Sequence, residues 1–187
     1  MSHSQFVLEP CACCLPPGFR AGFGRRGVLG LAAGLASAVA LGRGARAADG
    51  TAYDSMVLTC IDPRFVSPVG TWMASQGLKD KYSQFAIAGA SIGVVAPAFV
   101  GWAPAFWENL AASIQLHKIS RVVVVNHRDC GAATIAYGAD ALASRDGETA
   151  LHRKVFTDFA AQVAQKQPAL KVNGGLMALD GSIEVFG

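Results

Sequence analysis

Five side chains in this sequence have the types and spacing to do chemistry. Cys60, Asp62 and Arg64 lie in Cys60-Ile61-Asp62-Pro63-Arg64; His127 and Cys130 lie in His127-Arg128-Asp129-Cys130-Gly131. Each stretch begins where an apolar run ends. Residues 55–60 (SMVLTC) and the β-branched run 122–125 (VVVV) read as strands buried on both faces of a parallel sheet. Open α/β sheets build their sites at the carboxyl ends of such strands. If the two strands are parallel neighbours, Cys60, His127 and Cys130 converge at one edge of the sheet. Two thiolates and one imidazole are three protein ligands of a zinc site, with the fourth position left for water or substrate. One H-x-x-C alone is a weak metal signal, and the second loop is what makes the set specific. In an oxidising compartment the same two cysteines would also suit a single disulfide. A disulfide, however, has no need of His127, Asp62 or Arg64.

The pair C-x-D-x-R and H-x-x-C-G, each at a strand end, resembles the zinc motifs of the beta-class carbonic anhydrases, and the similarity extends loosely over residues 53–187. The resemblance implies Zn²⁺ held by Cys60, His127 and Cys130 and reversible hydration of carbon dioxide by a zinc-bound hydroxide. It also implies that Asp62 and Arg64 form the family's catalytic dyad, with Asp62 orienting the nucleophile and Arg64 holding Asp62 ionised through a bidentate pair. In some members that aspartate instead occupies the fourth metal position. Three features depart from the family pattern. Asn126 stands where glycine usually precedes the histidine. Residues 86–90 (AIAGA) keep only the central Ala-Gly of an R-N-A-G-N-like stretch. Residues 47–53 leave almost no room for an amino-terminal arm. Hydrolysis of carbon disulfide or carbonyl sulfide is an alternative on the same scaffold. A non-catalytic module stabilised by zinc or a disulfide is a reading from a different class.

The elements that must position these residues follow a targeting segment. Twin arginines, Arg25 and Arg26, precede an apolar stretch over residues 28–41 that is short for a membrane span, and Ala45-Arg46-Ala47 fits a cleavage site. Residues 1–47 therefore read as a cleaved twin-arginine (Tat) export signal. Residues 48–187 read as one zinc domain destined for the periplasm or secretion. The segment carries five of the 16 basic residues and one of the 13 acidic ones, so the remainder is close to neutral. No basic patch remains to suggest nucleic acid. Cys11, Cys13 and Cys14 leave with the segment, and Cys60 and Cys130 stay.

Along the domain, a helix is expected over residues 69–76, a strand over 84–88, a helix from Pro104 to about Lys118, a helix from near Gly131, and a helix over 148–166. Asp180-Gly181 is a hairpin signal between strands at 175–179 and 182–186. This alternation predicts an α/β fold: a central, mostly parallel β-sheet flanked by helices, with an antiparallel edge strand from the terminal hairpin. His117 reads as a helix-end residue and His152 as a surface residue. The aromatic segment 96–107 offers more aromatic surface than one helix stripe buries, which predicts a homodimer or higher homo-oligomer. The other partners expected are the small-molecule substrate, carbon dioxide or bicarbonate, and the Tat export machinery.

Overall fold

The computed structural model describes residues 52–187; the expected export signal and its cleavage site lie outside the described residues. The chain forms a five-stranded sheet flanked by helices. Its strands are β1 (Ser55–Thr59), β2 (Tyr82–Ala86), β3 (Arg121–His127), β4 (Lys171–Met177) and β5 (Ile183–Val185). Their order across the sheet is β2-β1-β3-β4-β5. The first four run parallel, and β5 pairs antiparallel with β4. The predicted α/β architecture is therefore the one observed.

The helices are α1 (Val66–Ser75), α2 (Ser91–Val95), α3 (Ala103–His117), α4 (Gly131–Tyr137) and α5 (Arg145–Lys166). Local chemistry sets their ends. Pro104 occupies the first turn of α3, where its missing N–H costs nothing. The Ser144 side chain accepts the Gly147 N–H at the start of α5. Two apolar layers enclose the sheet. Val57, Val123, Val125 and Met73 pack on the α1 side. Met56, Leu58, Val122 and Val124 pack on the other side against Phe106, Leu110 and Phe159 of α3 and α5. Burial on both faces is why β1 and β3 read as unbroken apolar runs rather than as alternating ones.

The chain leaves β1 toward β2 on one side and returns to β3 on the other, so the strand order reverses between β1 and β3. That reversal is where a crevice opens at the carboxyl edge of such sheets. The register Thr59↔Val125 then brings Cys60, just beyond β1, beside the end of β3.

Several expected bounds shift: α1 begins at Val66 rather than Val69, α5 at Arg145 rather than Glu148, and two strands move. The second strand begins at Tyr82 rather than Gln84 and ends at Ala86, because residues 88–90 are taken by a turn in which Gly89 and Ala90 have positive φ. The fourth strand begins at Lys171. Its first half is polar and lacks the apolar signal, and Gly174 lies so close to β3 that a Cβ there would run into the Val124 carbonyl.

Candidate metal centre

Cys60, His127 and Cys130 come together as the sequence predicts, with their ligand atoms all within 4.8 Å of one another. Both cysteines are free thiols. Each ligand is fixed by its element. His127 is the last residue of β3; its ring stacks on Phe65 at 4.1 Å between centroids, and its Nδ1 lies 2.8 Å from the Arg128 carbonyl. Donation from Nδ1–H to that carbonyl selects the tautomer that leaves Nε2 for a metal. Nε2 is buried and has no hydrogen-bond partner among the described residues.

Cys130 stands at the N-cap position of α4, its side chain making no capping hydrogen bond. The Cys60 sulfur accepts the Gly89 N–H at 3.2 Å. Gly89 has φ +79°, and a Cβ there would press on Ala132 and Ile92, so the Ala-Gly retained after β2 serves a close backbone approach to the sulfur.

The neighbouring Cys130, with His127 and the backbone N–H groups of Gly89 and Asp62, pulls Cys60 down to about 4 against the cost of burial. The Cys60 sulfur, together with burial, pushes Cys130 up. Burial opposes a charge on His127, but the Cys60 sulfur and the Arg128 carbonyl favour one, and the balance lies above the ordinary histidine value. A cation bound here would displace these protons. An orphaned imidazole nitrogen and two thiols within 4.8 Å of one another are a soft N/S₂ donor set. The residues present therefore fit a zinc-like ion.

Asp62 and Arg64 sit beside this cluster without joining it. The Arg64 Nε donates to both Asp62 oxygens at 3.0 and 3.1 Å, and Nη2 donates to Oδ2 at 2.7 Å. Asp62 also caps its own loop by accepting the Arg64 backbone N–H. The arginine side chain thus holds the carboxyl down at about 2. Ile61, Ala88, Phe99, Trp102, Ala132 and Ile135 line an apolar cavity of about 400 Å³, with Cys60 and Asp62 at its wall.

Several residues of the surround carry no spacing signal in the sequence. Arg128 is buried and donates to Glu148, Thr149 and Glu184. Glu148 also accepts the Asp129 N–H at 2.7 Å. Asp129 takes φ +55° and binds Arg64 through its side chain and its carbonyl. Only an acidic residue in the first turn of α5 hinted at Glu148. Asn126, the departure before His127, accepts the Ser91 N–H and hydroxyl on the opposite face of β3. His152 is not the expected surface residue. It shares the inner face of α5 with Phe156, Phe159 and Val163 at helical spacing, and it is fully buried.

Sheet, switch point and ligand set together define a beta-carbonic-anhydrase-like α/β protein with a site able to hold a metal. The family model described as "Putative carbonic anhydrase" matches residues 51–157, and the chain belongs to that family. Two relatives, "Uncharacterized protein RC0076" of Rickettsia conorii and an "Uncharacterized protein" of Rickettsia bellii, are 29% and 28% identical over 130 residues. These alignments cover 70% of this chain and 70% and 79% of theirs. A solved chain from the filamentous ascomycete Sordaria macrospora, described among two tetrameric beta-carbonic anhydrases, superposes with a TM-score of 0.50. It is 14% identical and covers 88% of this chain and 98% of its own. At that identity the likeness concerns the fold.

Proposed function

We propose that the protein is a zinc-dependent carbonic anhydrase that hydrates carbon dioxide reversibly. One observation carries this reading: three soft donors converge at the β1/β3 switch point while a carboxylate, fixed by an arginine, stands beside them at the wall of an apolar cavity. Cys60, His127 and Cys130 would hold the ion. A zinc ion there supplies Lewis-acid activation of water near neutral pH.

The chain's own residues do the rest. With its carboxyl held at about 2, Asp62 is a weak base. Its part is to accept a hydrogen bond from the attacking water and aim it, not to keep the proton. Arg64 fixes that carboxylate from one side by holding both of its oxygens. Phe99, Trp102, Ile135 and Ala132 present apolar surface that suits a small, uncharged, linear electrophile and keeps bulk water back. Because that lining is equally compatible with carbon disulfide or carbonyl sulfide, hydrolysis of these is the second reading.

We also propose that the active form is at least a dimer and that the mature protein is delivered by the Tat route to the periplasm or beyond. Support for the first is the exposed apolar surface at the cavity, where Ile61, Trp102 and Ile135 are 62%, 41% and 74% accessible. Support for the second is the twin-arginine stretch and A-x-A site of the sequence.

Stopped-flow measurement on zinc-loaded protein tests the main reading. Carbon dioxide hydration that is lost in Cys60→Ser is the expected result. Zinc-loaded protein that leaves carbon dioxide untouched while releasing sulfide from carbon disulfide would transfer the assignment to the second reading. Inertness toward both would leave a non-catalytic module.

A further inference from the structure

We propose that Asp129 is a positioning residue of the metal centre, clamping Arg64 from the loop that carries two of the ligands and so fixing the Asp62 carboxylate. This rests on the role given to Asp62 above.

Three observations carry it. First, Arg64 is gripped from two sides. Its Nε and Nη2 serve Asp62, while Nη1 donates to Asp129 Oδ2 at 2.7 Å and Nη2 donates to the Asp129 carbonyl at 3.1 Å. The Asp129 contacts span 65 positions of sequence, so they join the two ligand loops to each other. Asp62–Arg64 contacts alone lie within one loop and cannot do so.

Second, Asp129 holds that pose in the left-handed region, at φ +55°, next to the ligand Cys130. A non-glycine residue there is uncommon and costs backbone energy, and such residues persist where the surroundings over-determine them. Third, the surroundings here do so. The Asp129 N–H is held by Glu148 Oε1, and Glu148 Oε2 is held by the buried Arg128. The Arg128 carbonyl in turn takes the His127 imidazole. One support from α5 therefore sets the tautomer of a ligand and, through Asp129, the aim of the arginine.

An exposed ion pair by itself contributes little to stability, and Asp129 is 70% accessible. Its worth lies in geometry. Arg64 is itself 45% accessible, and with one anchor removed its long side chain regains rotamers at the edge of the cavity. Asp62 then loses its fixed partner.

Glycine at 129 separates this role from that of a turn former. It adopts the left-handed turn without strain and keeps the carbonyl, while removing only the carboxylate. In the zinc-loaded full chain, the Arg64 Nε–H is followed by ¹H–¹⁵N NMR, its signal assigned by its loss in Arg64→Lys. Asp129→Gly is expected to speed exchange of that proton with solvent at least about tenfold. Hydration kcat should fall about 10–100-fold, the range of residues that orient metal-site groups, with zinc content and KM unchanged. Asp129→Glu should recover part of both.

Unchanged proton exchange in Asp129→Gly would overturn the proposal, as would an unchanged kcat. If the glycine variant sheds zinc, Asp129→Asn, which also tolerates the left-handed turn, is read instead. Its neutral amide oxygen is a weaker acceptor for a guanidinium, so exchange should speed and kcat fall by smaller factors, and unchanged exchange would overturn the proposal. If the wild-type chain hydrates no carbon dioxide, the function proposed above fails. The exchange measurement then decides the clamp alone.

Discussion

At the scale of single residues, the proposed function gives the donor cluster and the Asp62–Arg64 pair separate roles, one holding a metal and the other aiming the reactants. Cys60→Ser replaces a sulfur in the donor cluster by an oxygen of ordinary alcohol pKa. Zinc content, measured by metal analysis after dialysis, should fall together with activity. Asp62→Asn keeps the size of the side chain but loses the charge paired with Arg64, and its NH₂ can turn toward the attacking water. Orienting and proton-handling groups contribute about 10²–10⁴-fold, so turnover should drop by about that factor with zinc retained. Near-full activity in zinc-replete Asp62→Asn would remove Asp62 from the mechanism. Since the Arg64 side chain holds Asp62 ionised down to about pH 2, the dyad should stay intact across the whole range in which activity is measurable.

At the scale of elements, α5 is more than a cover for the sheet. Its inner face carries His152, fully buried, with neither ring nitrogen hydrogen-bonded among the described residues. Burial is the main cause that lowers this histidine to about 4. Glu148 opposes the shift, and His127 and Arg128 add to it. The folded pKa lies below the unfolded value near 6.5, so between about pH 6.5 and 4 the unfolded chain binds the proton that the folded one refuses. Stability should therefore fall as pH drops through that window, by up to about 3 kcal/mol at its foot. In His152→Met the decline should be shallower, as read from urea midpoints at pH 7, 5.5 and 4. A parallel decline in both proteins would place the acid sensitivity elsewhere.

The β3/β4 pairing gives a second prediction at this scale. A methyl at Gly174 would meet the Val124 carbonyl, which is backbone and cannot swing aside. Gly174→Ala should cost about 3 kcal/mol or more and lower the thermal midpoint accordingly. A loss within 0.5 kcal/mol would mean that the two strands separate cheaply.

At the scale of the whole molecule, the cavity and its rim form one apolar surface. Phe99 is buried by its own chain and stacks flat on Trp102 at 4.2 Å, yet Trp102, Ile61 and Ile135 remain exposed around it. A dimer that covers this rim would narrow the cavity mouth and complete the exclusion of water. Light scattering at micromolar concentration should give at least twice the chain mass. Trp102→Glu should shift it toward the monomer, and a wild-type monomer would dismiss the idea.

The sequence by itself determined which three donors converge and the strands whose ends bring them together. A doubly buried parallel strand must be apolar throughout, and a polar Cys-x-Asp-x-Arg or His-x-x-Cys abruptly ending such a run is visible without coordinates. It also determined the alternation that makes a parallel sheet. What only the tertiary structure decided are contacts between residues distant in the chain. Nothing local marks Glu148 as the support of Asp129, or Asp129 as the second anchor of Arg64, because each is an ordinary charged residue until β3 and α5 are packed together. His152 eluded the reading for the same reason. Helical spacing alone put it at the margin of a stripe, and only the packing of α5 in the folded chain buried it. The polar first half of β4 gained its place in the sheet from the backbone of β3, through hydrogen bonds that side-chain patterns do not encode.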